Sequence, residues 1–105
     1  MAPYIDTEAA DDNLDRIQNR IMIRFDEDSW GDSISAKRIS EDTVHIITLT
    51  VSPDNENQGR GTALVQKVFD ELPSDVKQVV VKTNDNPGWW SHIKPRIRGR
   101  ANLVL

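Results

Sequence analysis

Two glycines set one residue apart carry the first chemical signal in this chain. They lie in Ser52-Pro53-Asp54-Asn55-Glu56-Asn57-Gln58-Gly59-Arg60-Gly61, between a β-branched run (Thr43 to Val51) and an amphipathic stretch opening at Thr62. A turn of this kind feeds a strand into the N-terminus of a helix. The first N–H groups of a helix lack internal partners, and the helix dipole favours an anion beside them, so the pattern describes a phosphate cradle. Two nucleotide loops are excluded. A P-loop needs a lysine and a hydroxyl residue after its last glycine, and Thr62-Ala63 follows Gly61. A dinucleotide fingerprint needs a small third residue where Leu64 stands. A plain helix N-terminus with two turn glycines remains open at this point.

Other chemistries are limited by composition. There is no cysteine, which removes disulfides, thiolate nucleophiles and zinc–thiolate sites. With His45 and His92 as the two histidines, a multi-histidine metal site has too few ligands, and no metal is expected. No apolar run approaches the roughly 18 residues of a membrane span, and the N-terminus lacks a signal pattern. A soluble cytoplasmic protein is therefore expected. The net charge of −4 is unevenly distributed. Residues 1–32 are rich in Asp and Glu, whereas Lys77, Lys82, Lys94, Arg96, Arg98 and Arg100 face Asp85 alone after residue 76. The acidic third suits a cationic substrate and the basic end a polyanion. Nucleic acid is disfavoured, because the basic cluster is short and the chain acidic overall.

The 105 residues suffice for one domain (1–105), with residues 1–10 read as loose because they show no period. Asp11 to Arg20 reads as a short helix, with Leu14, Ile17 and Ile21 on one face. Ile21 to Phe25 and Ser33 to Ile39 alternate as strands, separated by a polar loop in which Trp30 anchors on the core. Ser40-Glu41-Asp42 is a tight connection to the Thr43–Val51 strand, giving an antiparallel meander. The helix after Gly61 shows Leu64, Val65, Val68, Phe69 and Leu72 as one stripe, and Pro73 stops it. Gln78 to Thr83 reads as a buried strand, parallel to Thr43–Val51 through a right-handed crossover. Trp89 to Lys94 reads as one or two helical turns stopped by Pro95, and Arg100 to Leu105 as a final strand.

The stretch Val51 to Leu64 resembles the acyl-CoA-binding motif of the GNAT superfamily of N-acetyltransferases, R/Q-x-x-G-x-G/A after a strand ending in V-x-P. Here the motif falls on Glu56, Asn57, Gln58, Gly59, Arg60 and Gly61. The resemblance follows element order over about residues 21–93 and is specific over Thr43–Asn86. It implies a mixed α+β sheet, an antiparallel meander followed by strand–helix–strand with a splayed parallel pair. It also implies direct transfer of an acetyl group from acetyl-CoA to a primary amine. Asn57, Gln58, Gly59, Arg60, Gly61 and Thr62 would bind the pyrophosphate. Leu49 and Val51 would offer backbone groups to pantetheine, and Asn84 and Asn86 would hold the same arm. His45 stands six residues before Val51, where histone-acetyltransferase-like members carry a catalytic glutamate, and an imidazole suits a general base. The chain departs from the family twice. Glu56 replaces Arg or Gln, and the count that leads to the usual tyrosine acid reaches Ser91, with His92 beside it as a substitute. The expected partner is a cationic amine acceptor, such as a lysine, an N-terminus or a polyamine. A homodimer is allowed and a membrane is not. The alternative is a GNAT-like domain that binds CoA or a protein with weak turnover.

Overall fold

A computed structural model of the chain describes residues 3–7, 10, 19–24, 32–51, 59–83 and 86–105. Among these residues six strands form one sheet in sequence order. They are β1 (Tyr4–Ile5), β2 (Arg20–Arg24), β3 (Ser33–Arg38), β4 (Thr43–Thr50), β5 (Gln78–Val81) and β6 (Asn102–Val104). Strands β1 to β4 are antiparallel neighbours, whereas β4–β5 and β5–β6 are parallel. Helix α1 (Arg60–Asp70) makes the first parallel crossover and α2 (Pro87–Ile93), followed by a 3₁₀ turn (Lys94–Arg96), makes the second. The mixed α+β sheet expected from the sequence is the one observed.

One apolar face of the sheet carries the core. Ile21, Ile23, Ile34, Ala36, Val44, Ile46 and Val79 are at most 1% exposed. They pack with Leu64, Val65 and Val68 of α1 and with Trp90 and Ile93 of α2 in a single cluster. The period of α1 places its apolar stripe on this face, while Lys67 and Glu71 form an ion pair one turn apart at 2.8 Å.

Three local details differ from the sequence reading. Tyr4–Ile5 pair with Arg24 and Ile23, so a strand lies within the stretch read as loose; two residues are too few to show a period. Helix α2 starts two residues early, at Pro87, because the first helical position needs no N–H donor. Pro95 does not end the helical path but sits at the start of the 3₁₀ turn, where its missing N–H costs nothing. The helix expected over Asp11–Arg20 lies outside the described residues except at Asn19 and at Arg20, which begins β2; the Trp30 loop also lies outside them. No helix among the described residues is long and apolar enough to cross a membrane.

The β3–β4 connection is held by side chains. The Asp42 carboxylate accepts hydrogen bonds from Ser40 Oγ and Thr43 Oγ1, each at 2.9 Å, which hold it below its ordinary pKa. Buried Arg38 clamps the turn to the segment leading into β5. Its Nε donates to the Ser40 carbonyl at 3.1 Å, and its Nη2 donates to the Glu41 carbonyl at 2.6 Å and to Asp75 Oδ2 at 2.7 Å. The side chain of Arg38 is 3% exposed and that of Asp75 60% exposed. Arg38→Met should therefore cost about 2–3 kcal/mol in urea denaturation, since it orphans the carbonyls, while Asp75→Asn should cost less than about 1 kcal/mol. Equal effects would mean that the ion pair, not the carbonyl clamp, matters.

Candidate active site

The functional cleft begins where β4 loses its neighbour. Pairing of β4 with β5 ends at Ile46 opposite Val81, with Lys82 N–H donating to the Ile46 carbonyl at 3.0 Å. Strand β4 continues to Thr50 with no strand on its β5 side among the described residues. On its other side, Ser35 lies opposite Thr48 and Ala36 opposite Ile46, leaving Ile47 as an extra residue. This is a β-bulge, which turns the strand and resets its alternation. Before the bulge Val44 and Ile46 face the core. After it Leu49, opposite buried Ile34, and Val51 pack against the core.

The unpartnered part of β4 forms one wall of a cleft of about 630 Å³. Leu49, Thr50 and Val51 line this wall, Gly59 to Thr62 line the end of α1, and Thr83, Asn86 and one side of α2 close it. Helix α1 opens without a side-chain cap, because Gly59 occupies the capping position, and no acidic residue lies in its first turn. The first helical hydrogen bond is Ala63 N–H to the Gly59 carbonyl at 3.0 Å. The N–H groups of Gly61 and Thr62 have no partner among the described residues. A cleft that ends on such donors suits a phosphate, and its apolar wall beside free strand edge suits an amide-bearing chain.

The two glycines serve different purposes. Gly59 has φ +76 and open space where a Cβ would stand, so its requirement is conformational. Gly61 is buried, and a Cβ there would stand 2.8 Å from Trp89 Cζ2 and 3.5 Å from Val51 Cγ2. Its requirement is contact between α1 and α2. Trp89 is in turn edge-on to Trp90, with ring centroids 5.0 Å apart and planes at 79°.

Arg60, in the cleft lining, engages a buried carboxylate. Its Nη1 donates to Asp32 Oδ2 at 2.9 Å, and Asp32 is fully buried at the start of β3. The pair ties the α1 N-terminus to the sheet.

Of the residues singled out in the sequence, the cleft gathers Leu49, Val51, Gly59, Arg60, Gly61, Thr62, Asn86 and His92. Asn86 has φ 56 and caps α2. Asn57, Gln58 and Asn84 lie outside the described residues. Ser91 is exposed and does not line the cleft, because α2 turns Trp90 and Ile93 into the core and His92 toward the cleft. His45 does not line it either. It stands opposite Lys37 on the reverse face of the sheet, before the bulge that brings Leu49 and Val51 to the cleft face. Its position next to Ile46, the last residue paired with β5, sets it beside the opening between the strands. Burial, then the Lys82 charge, lowers its pKa below the ordinary 6.5. Thr50, Thr83, Trp89 and Arg96 line the cleft without having been singled out as site residues; only their tertiary position reveals them. Among the described residues no cluster of three or more His, Asp or Glu could hold a metal.

Two outcomes follow from this geometry. Gly61→Ala should destabilise by about 1–3 kcal/mol through overpacking, and Trp89→Leu should make that second change milder. Gly59→Ala should cost about 1 kcal/mol whatever stands at position 89. Comparing the two double-mutant cycles in urea separates steric from conformational need. For His45, protonation favours the unfolded chain. Its contribution is intact above about pH 6.5 and is lost as pH falls toward the lowered native value. The melting temperature should drop between pH 7.5 and 5.5, and drop less in His45→Gln.

The comparisons with known proteins agree with this geometry. The family model described as Acetyltransferase (GNAT) family matches residues 11–88. The searches of curated proteins and of solved structures return no match. The matched span runs from the segment before β2 to the start of α2 and so contains strands β2 to β5 and helix α1, with the β4 and α1 walls of the cleft, while the α2 residues that close it lie just beyond. The chain belongs to the GNAT acetyltransferase family.

Proposed function

We propose that the protein is a cytoplasmic N-acetyltransferase that uses acetyl-CoA and passes the acetyl group directly to a primary amine held beside it. The observation that carries this reading is the cleft in which the uncapped start of α1 meets the unpartnered stretch of β4. The cleft fits the two chemical parts of the donor. The helix start suits the pyrophosphate, for which Asn57 and Gln58 are the further partners proposed from the sequence. The free edge near Leu49 and Val51 suits the pantetheine amides, with Asn84 and Asn86 on the same arm.

Acetyl-CoA supplies an activated thioester. The protein contributes alignment, hydrogen-bond donors for the carbonyl oxygen and proton handling. N–H groups of β4 beyond Ile46 are the donors. The amine approaches from the reverse face, through the opening between β4 and β5, and passes its proton to His45 directly or through one water. A histidine with a lowered pKa is neutral at physiological pH and ready to accept. As the carbon–nitrogen bond forms and the carbon–sulfur bond breaks, His92 gives the sulfur a proton from the cleft side. The acidic N-terminal third favours a cationic acceptor: a lysine side chain, an N-terminus or a polyamine.

One observation supports a second reading, a CoA-binding or protein-binding domain with weak turnover. No tyrosine lines the cleft. Tyr4 is on β1, three strands from β4, and Ser91 points elsewhere.

Acetyl-CoA should raise the melting temperature, and Thr62→Glu should remove that shift by placing a carboxylate at the helix start without the Trp89 clash of a Gly61 change. No shift in the unmodified protein rules out the enzyme and the CoA-binding form of the second reading. Thiol release with a panel of amines then separates enzyme from binder. His45→Gln should lower kcat by roughly a hundredfold or more and remove the acid limb of its pH profile; an unchanged profile rules out His45 as the base.

A further inference from the structure

The cleft continues past the start of α1 into a more open groove of about 780 Å³. The two share Gly59, Thr62 and Arg96 at their junction. Beyond it the groove follows α1 past Gln66 and Asp70, with Arg98 and Gly99 on the facing side.

The groove is cationic, and its cations are uncommitted. Among the described residues Arg96 and Arg98 form no ion pair. Asp70, the carboxylate in the lining, accepts a hydrogen bond from Gln66 Nε2 at 3.0 Å. The backbone carrying the two arginines is held at three successive residues, one by the core and two by α1. Ile97 packs against the core. Gln66 Nε2 donates to the Arg98 carbonyl at 2.7 Å, and the Arg98 N–H donates to Gln66 Oε1 at 2.9 Å. Gly99 comes so close to Phe69 that a Cβ would stand 3.0 Å from its ring. Two free guanidinium groups thus project from a fixed frame beside the phosphate end of the cleft. Near the glycine turn the charges are otherwise spent or reversed: Arg60 is engaged by Asp32, and Glu56 precedes the glycines.

We propose that Arg96 and Arg98 form the seat of the ribose 3′-phosphate of CoA and make the protein selective for CoA over dephospho-CoA. The inference rests on the acetyl-CoA reading above. The 3′-phosphate hangs from the ribose next to the pyrophosphate, so a pyrophosphate at the start of α1 directs it toward the adjoining groove. A phosphomonoester carries close to two negative charges at neutral pH and three acceptor oxygens, which match the donor fork of a guanidinium. The pyrophosphate is met by backbone N–H groups and the 3′-phosphate by side-chain cations, so the two contacts are separable by mutation.

The test is titration of the full chain, and of Arg96→Gln, Arg98→Gln and the double variant, with CoA and with dephospho-CoA at two salt concentrations. The unmodified protein should bind CoA roughly three- to tenfold more tightly, a gap suited to exposed charge-assisted pairs, and the gap should narrow with salt. The double variant should bind the two forms equally, losing much more affinity for CoA than for dephospho-CoA. Equal binding of both forms by the unmodified protein overturns the seat. A preference that survives the double substitution overturns the assignment to these arginines. Binding of neither form overturns the acetyl-CoA reading itself, and the seat with it. Both side chains are exposed, so an unchanged melting temperature without ligand checks that the variants fold.

Discussion

The extra residue in β4 and the loss of pairing beside it are the constraint on which the site depends. A strand hydrogen-bonded on both edges has nothing left to offer a ligand. Here β4 keeps β3 through Thr50 but gives up β5 after Ile46, and the bulge at Ile47 falls at the same place. Three consequences share this cause. The strand edge becomes available along the cleft. The apolar alternation passes from Val44 and Ile46 to Leu49 and Val51, so the cleft wall stays joined to the core. His45 remains on the reverse face, apart from the residues that line the cleft.

The cleft's far end is set by a balance of charge and space at the start of α1. The helix dipole and uncapped N–H groups favour an anion, and Gly59 leaves room above them. Below, Gly61 has no room to spare, because Trp89 of α2 fills the position of a side chain. The glycine pair therefore joins a ligand-facing surface to a packing contact two residues later. The Asp32–Arg60 pair steadies the same turn from the sheet side. It also engages the guanidinium nearest the glycine turn.

Much of the fold was legible because its signals are local. The stripe Leu64–Leu72 repeats with helical period, alternation marks β2 and β3, and the β-branched runs mark β4 and β5. Order alone then required β5 to lie parallel to β4. Elements too short to show a period were not legible, and Tyr4–Ile5 is a strand only because β2 is there to pair with it. Within the site the glycine turn was legible as the start of α1. The bulge was not, since a β-branched run reads the same with or without an extra residue. On straight alternation His45, Leu49 and Val51 share a face, and the register of β3 separates them.

By itself, then, the sequence determined the order of elements, the helix start with its two glycines, the resemblance to the acyl-CoA motif and the lack of a tyrosine at the usual acid position. These depend on residue type and spacing along one segment. Tertiary structure alone decided the opening between β4 and β5, the contact that forbids a side chain at Gly61, the engagement of Arg60 by Asp32, and the choice of His92 over Ser91 at the cleft. It also brought Arg96 and Arg98 to the groove beside α1. Each of these is a meeting of residues far apart in sequence, set by register, crossover and packing that no single segment encodes.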